Sequence, residues 1–257
     1  FEGRPYLDKI IFRIFHGSPR EEIFRRFKEG ELDDSPIPFK DIEEVIKSKR
    51  FIFLQKPILS LRFYGLNTTI EPLNREKIRR AINFAVPKEK IGEDILKGKA
   101  HIIDRIIPLG MPGYTPSKVS SGYEPQKARE LIRESGYPEE KAIPSIEFWS
   151  AAKSELAVNE LEMVKTYLSQ IGITINIQYE THWPKFQEIL SSRKAPMFMY
   201  AWYADFPDPD NFLGVLFHSQ SKYNFTAYHN PEVDRLLEKA GTERDYLKRM
   251  EMYRRVE

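Results

Sequence analysis

Met197-Phe198-Met199-Tyr200-Ala201-Trp202 is an unbroken apolar run that passes without a break into Tyr203-Ala204-Asp205-Phe206-Pro207-Asp208-Pro209-Asp210-Asn211-Phe212. A short apolar run with no polar alternation is the pattern of a strand buried on both faces. Before it, Trp183, Phe186, Ile189 and Leu190 mark a helix. Before that, Ile173, Ile175, Ile177 and Tyr179 alternate with Thr174, Asn176 and Gln178, the period of a strand. The helix ahead of this strand is the clearest in the chain: Ala157, Leu161, Val164, Leu168 and Ile171 recur at spacings of four and three over residues 154–171, and Gly172 ends it. A strand at residues 146–149 precedes that helix. Strand, helix, strand, helix, strand is an α/β pattern.

Working outward, Asn230-Pro231 opens a helix after the acidic loop. A second helix is opened by Thr242 with Asp245 three residues on, and its stripe of Leu247, Met250 and Tyr253 is still running at Glu257. Toward the N-terminus, Pro125 opens a helix that Gly136 closes, residues 108–122 read as a long loop, and a helix over 88–97 stops at Gly98. Asn74 caps a helix carrying Ile78, Ala81, Ile82 and Ala85. The polar crossing at 67–72 suggests a domain boundary after residue 66. Before it, the alternation of Leu59, Leu61 and Phe63 with Ser60, Arg62 and Tyr64 predicts a strand with one wet face. Strands are also expected at 50–55 and 9–15, with a helix over 40–47. Another helix, with Ser18 as cap and Glu21 completing a capping box, ends at Gly30 before a turn at 30–33.

Composition narrows the function classes. The 257 residues carry 40 Lys+Arg against 38 Asp+Glu, so no nucleic-acid partner is implied. Hydrophobic residues make up 41%, enough to build a core and inconsistent with intrinsic disorder. No apolar run approaches the roughly 18 residues of a membrane span. The absence of cysteine excludes disulfides, a thiolate nucleophile and cysteine-bound metal, and is silent on compartment. The chain opens at Phe1 with no leader pattern and stops inside a helical stripe, so it is expected to be a piece of a longer protein.

Enzyme signatures are absent: there is no Gly-x-Gly-x-x-Gly, P-loop, Gly-x-Ser-x-Gly or His-Glu-x-x-His. His16, His101, His182, His218 and His229 are scattered, with no pair at helical spacing. No cofactor or metal is called for. Asn67-Thr68-Thr69 and Asn224-Phe225-Thr226 match the glycosylation pattern but carry no weight in so common a motif.

The acidic loop therefore holds the candidate chemistry. A buried strand running into it delivers aromatic surface and carboxylates to the carboxyl edge of a sheet, where α/β folds bind ligands. Three readings arise. A divalent cation is disfavoured by the stiffness of Pro207 and Pro209 and by a spacing unlike the EF-hand register. Turn and helix-cap roles suit Asp208 and Asp210. In the third reading, Asp205 faces a cleft beside Trp202 and pairs with a cation on a ligand. Local chemistry leaves that role balanced against a structural aspartate.

The run Ala201-Trp202-x-x-Asp205-Phe206-x-Asp208-Pro209-x-x-Phe212-Leu213 resembles the signature of extracytoplasmic solute-binding proteins of the peptide/nickel class of ABC importers. Other stretches are similar to family landmarks in family order. They are Gly3-Arg4-Pro5-Tyr6-Leu7-Asp8, Gly30-Glu31-Leu32-Asp33, residues 67–72 with Arg79-Arg80-Ala81-Ile82, residues 123–137, Ile171-Gly172-Ile173 and Asn230-Pro231-Glu232-Val233-Asp234. The resemblance implies an α/β periplasmic-binding-protein-like clamshell of class II type, its second lobe nearly complete at 67–257 and its first lobe partial at 1–66. The rest of a chain about twice as long is outside this sequence.

It further implies a substrate-binding component that captures a peptide or related small molecule in the inter-lobe cleft and delivers it to the transmembrane subunits of an ABC permease. Asp205 would hold the ligand's ammonium group, main-chain groups around Ala201, Tyr203 and Ala204 would bond its backbone, and Trp202 and Tyr203 would border side-chain pockets. Trp202 reads equally as a core residue under the loop. The setting implied is periplasmic or extracytoplasmic, with membrane contact only through the permease or an anchor outside this sequence. Two rival classes are an enzyme, for which no acid–base spacing is visible, and a solute-sensing module of the same fold fused to a membrane or signalling chain.

Overall fold

The computed structural model describes residues 3, 6–15, 19–54, 58–116, 122–137 and 143–257, which divide into two compact units, 1–57 and 58–257. In the first unit, α1 (Arg20–Lys28) buries Phe24, and a 3-10 turn (Phe39–Asp41) leads into α2 (Ile42–Lys47), which buries Val45. Gly30 follows α1 at φ +82°, a conformation glycine adopts without steric cost. The expected cap Ser18 lies outside the described residues. The strands expected at 9–15 and 50–55 do not form: residues 9–15 and 51–54 are irregular, and Ile11, Phe12, Ile14, Ile52 and Leu54 are exposed. Apolar, β-branched composition favours a strand only where a neighbour pairs with it.

The second unit begins with β1 (Ser60–Leu66) and α3 (Glu76–Ala85). It continues with α4 (Lys88–Lys90), which widens into a π-helical turn at Ile91–Ile95, and α5 (Pro125–Arg133). Then come β2 (Ile146–Ser150), α6 (Glu155–Ser169), β3 (Ile175–Tyr179), α7 (Trp183–Ser191) and β4 (Met197–Tyr203). Helices α8 (Asp210–Phe217), α9 (Pro231–Thr242) and α10 (Tyr246–Val256) complete it. The four strands form one sheet in the order β1-β4-β2-β3; β2 is parallel to both β3 and β4, and β1 is antiparallel to β4. Because β1 pairs with β4 along its whole length, it falls within the second unit, on the far side of the boundary read from the sequence at residue 67.

Helices pack on both faces of this sheet, which corrects the wet face expected for β1 at Tyr64, while Arg62 on that face is exposed. On one face Tyr64, Phe148, Ile175, Met197 and Met199 pack against α3, α5 and α6. The α6 stripe is as the spacing dictates: Ala157, Leu161, Val164 and Leu168 are buried, each of the larger three contributing about 1.5–3 kcal/mol. Ser154 caps α6 by accepting from the Ala157 amide. On the other face Phe63, Trp149, Phe198, Tyr200 and Trp202 meet Phe186 and Leu190 of α7 and Phe225. Leu61 and Phe63 also meet a core built by α8, α9 and α10.

Two local assignments differ from expectation. Asn74 does not cap α3, whose N-cap is Arg75, and α9 runs through Thr242, leaving Asp245 to cap α10 by accepting from the Lys248 amide. The two glycosylation-like asparagines are fully buried turn residues. Asn67 donates to the Arg193 carbonyl and accepts from Thr69, and Asn224 donates to the Tyr228 carbonyl.

Candidate functional site

β4 outruns its parallel neighbour. Its pairing with β2 covers Met197 and Phe198, opposite Phe148 and Trp149, whereas the strand continues to Tyr203. On the β1 side the ladder is fixed by Ala204 N donating to the Leu59 carbonyl and Asn67 N to the Pro196 carbonyl, both at 2.8 Å. In an antiparallel ladder the main-chain groups alternate in direction, so 196, 198, 200, 202 and 204 face β1 and the odd-numbered residues face away. The N–H and C=O of Ala201 and Tyr203 therefore point to the side that β2 has left. That edge borders a groove of about 240 Å³.

The groove is lined by β4 (Met199 to Ala201, and Tyr203), by Ser150 to Ala152 at the end of β2, by Trp183 and Phe186 of α7, and by Arg62 of β1. Its walls are mostly apolar. Trp183 is half exposed and stacks on Tyr200 with ring centroids 6.0 Å apart, while the Tyr200 hydroxyl accepts from Gln187 at 2.9 Å. Tyr203 is 61% exposed, so its ring is free to cover a bound molecule.

The loop after β4 is organised by Asn211, which is 2% exposed. Its Oδ1 accepts from the Trp202 indole at 3.0 Å and from the Asp205 amide at 3.2 Å. Asp208 is structural, as the sequence suggested: its carboxylate accepts from the Asp210 amide at 3.0 Å and pairs with Arg249 at 2.6 Å. Burial, and then the Asp208 charge, raise the Asp210 carboxyl above its usual range. Burial, followed by the two aspartates, pushes the Tyr253 phenol up to about 12. Asp205 differs from its neighbours. It is exposed, and its carboxylate makes no hydrogen bond or ion pair among the described residues.

Of the residues singled out from the sequence, Ala201 and Tyr203 line the groove. Trp202, Ala204 and Asp205 do not. Trp202 shares the sheet face of Tyr200 but packs beyond the groove, against Tyr223 at 5.0 Å, and Ala204 packs toward the core of α8 to α10.

Sequence reasoning missed a charged cluster on the groove side. Glu160 of α6 is 2% exposed and accepts from Arg62 Nη2 at 2.5 Å and from the Tyr64 hydroxyl at 2.6 Å. Burial, reinforced by the Glu160 charge, holds the Tyr64 phenol well above its usual value. The one available signal was Glu160 itself, a carboxylate one position from Leu161 on an otherwise apolar stripe. Among the described residues, no group of three or more His, Asp or Glu side chains could hold a metal, and no helix is long and apolar enough to cross a membrane.

A mixed sheet covered by helices, with a groove at the carboxyl ends of its parallel strands, is an α/β ligand-binding fold. Solved structures give the fold more exactly. A substrate-binding protein, CtaP, from Listeria monocytogenes superposes with a TM-score of 0.87 at 21% identity, over 100% of this chain and 52% of that one. The dipeptide-binding protein of Pseudoalteromonas sp. SM9913, in complex with Met-Leu, gives 0.80 at 24% identity, over 92% of this chain and 48% of that one. The fold is thus that of the periplasmic binding proteins, in part. The chain belongs to the bacterial extracellular solute-binding proteins, family 5, whose middle region matches residues 1–224. Among its relatives are the glutathione-binding protein GsiB of Salmonella paratyphi A, 27% identical over 100% of this chain and 51% of that protein, and the dipeptide-binding protein of Escherichia coli K12, 26% identical over 99% and 48%. The chain spans about half the length of these relatives.

Proposed function

We propose that the chain is the ligand-contacting half of a substrate-binding component that captures a peptide or related small molecule and hands it to an ABC permease in the extracytoplasmic space. The observation that carries this reading is the edge of β4, where the main-chain groups of Ala201 and Tyr203 border the groove beyond the end of β2. An extended peptide adds to such an edge as a further strand, and main-chain pairing tolerates many sequences. Relatives named for dipeptides and glutathione support a peptide ligand.

Asp205, two residues past Tyr203 and with an exposed carboxylate, is in reach of a ligand's ammonium group once the ligand lies along this edge. A charge-assisted hydrogen bond there contributes about 1.5–3 kcal/mol. Trp202 and Ala204 act from behind, holding the loop that carries Asp205. We assign the sheet-bearing residues 58–257 to the second lobe of the complete protein and residues 1–57 to part of the first. The assignment moves the lobe boundary ahead of β1 because that strand pairs with β4. Binding shifts the complete protein toward its closed form only by the ligand's differential affinity for the two states. The role is capture, with no chemical turnover.

Calorimetry on the full-length protein tests the reading. Asp205→Asn is expected to weaken peptide binding at least tenfold, or about 1.4 kcal/mol, with the fold intact. Unchanged affinity would remove Asp205 from the site.

A further inference from the structure

We infer that Arg62 is a specificity residue that selects ligands placing a carboxylate in the groove beside Ala201; this rests on the proposed function and names the ligand chemistry within it. Arg62 alone carries charge among the described residues that line the groove, whose walls are otherwise alanine, serine, methionine and aromatic rings. It is the cross-strand partner of Ala201, the residue whose main chain faces the open edge. The methyl side chain of Ala201 lets a long neighbour on the same sheet face reach past it.

The arginine is held in place from behind. Its Nη2 is committed to Glu160 Oε2 at 2.5 Å and to Met199 Sδ at 3.0 Å, and the second carboxylate oxygen is engaged by Tyr64. Nε and Nη1 make no hydrogen bond among the described residues, and the side chain is 38% exposed while Glu160 is 2% exposed. A guanidinium held at one edge in the wall of an apolar groove, with Nε and Nη1 unengaged among the described residues, is preorganised for a carboxylate, which it recognises in a planar, two-point geometry. Excluding water by closing the groove strengthens that bond. A buried ion pair whose only role was stability would gain nothing from opening its cationic member onto a groove, since apolar residues of the same volume serve at least as well.

The carboxylate has two sources in a peptide, an acidic side chain and the C-terminus, and one experiment separates them. Binding to the full-length protein is measured by calorimetry for alanine-based tripeptides with Glu or its isostere Gln at each position, and for Ala-Ala-Ala as free acid and as C-terminal amide. One of these comparisons is expected to favour the carboxylate by about tenfold. In Arg62→Met the ratio falls to near one. Because that variant leaves Glu160 buried without its cation, Arg62→Met combined with Glu160→Met carries the same expectation with neither charge present. Glu160→Gln, which keeps an acceptor for Tyr64 but releases the guanidinium from its counter-charge, widens the ratio. A purely structural Arg62 would leave every ratio unmoved. Peptides that bind with no carboxylate preference, or a preference that survives in the double variant, would overturn the inference and leave the peptide-binding role standing. Failure of every peptide to bind would take both down.

Discussion

Asn211 and Trp202 are joined by a hydrogen bond of 3.0 Å from the indole to the amide oxygen, and the same oxygen holds the Asp205 amide. One buried acceptor thus ties the last turn of β4 to the start of α8 and fixes the loop between them. Asn211→Ala removes the acceptor from a partly buried indole donor, which costs about 1 kcal/mol. The expected result is a lower unfolding midpoint together with weaker peptide binding, measured by denaturation and calorimetry on the same full-length preparation. Loss of stability with full affinity would show that Asp205 is positioned by other contacts or is not used.

Gly65 faces Phe198 across the β1–β4 pair, and the ring occupies the space a β-carbon would need. Gly65→Ala must therefore move a buried aromatic ring, an overpacking cost of about 1–3 kcal/mol. Urea denaturation would register the loss as a lower midpoint. A variant as stable as the parent would mean that β1 does not pack on β4 in this register.

The Glu160 cluster makes a different prediction. Arg62→Met strands the carboxylate of Glu160, which is 2% exposed, and should cost about 3–5 kcal/mol, the range for leaving one charge of a pair buried and unpaired. Replacing Arg62 and Glu160 together by methionine should cost far less than the two single changes summed. A double-mutant cycle in denaturant measures the difference, and additive effects would place the two charges apart.

Asp234 supplies a pH test. Burial pushes its carboxyl up, but hydrogen bonds from the Ser219 side chain and amide, with His218 and His229 nearby, outweigh this and hold it below the usual range. The native state therefore favours the ionised form. Its contribution is complete above the unfolded value of about 3.9 and disappears as the pH falls through the lower folded value. Asp234→Ala should cost about 1 kcal/mol at neutral pH and progressively less toward pH 3, followed by thermal unfolding across that range. A difference that stays constant with pH would assign the loss to packing.

What the sequence made legible follows the range of the interactions. Helix α6 was readable because its stripe and its Ser154 cap are local, and β4 because a strand buried on both faces is apolar throughout. Residues 9–15 carry similar composition, yet no strand pairs with them among the described residues and they stay irregular. Thr242 mimicked a cap because the motif is short, while the α9 helix continued through it.

The candidate site was half visible for the same reason. The Trp-x-x-Asp stretch pointed to the end of β4 that borders the groove. The partner of Arg62 lies 98 residues away, and the groove opens where β2 ends, a register that nothing in local spacing encodes. Tyr64 looked solvent-facing from alternation alone because a helix from the far side of the chain covers it.

Amide hydrogen exchange at Ala201 and Tyr203, in the full-length protein with and without saturating peptide, is the most direct test of the claim that the free edge of β4 receives the ligand's main chain. Pairing with an added strand predicts that both amides become at least about tenfold better protected while the amide of Tyr200, already turned to β1, changes little. Unaltered exchange at Ala201 and Tyr203 under conditions where calorimetry shows the site full would contradict it.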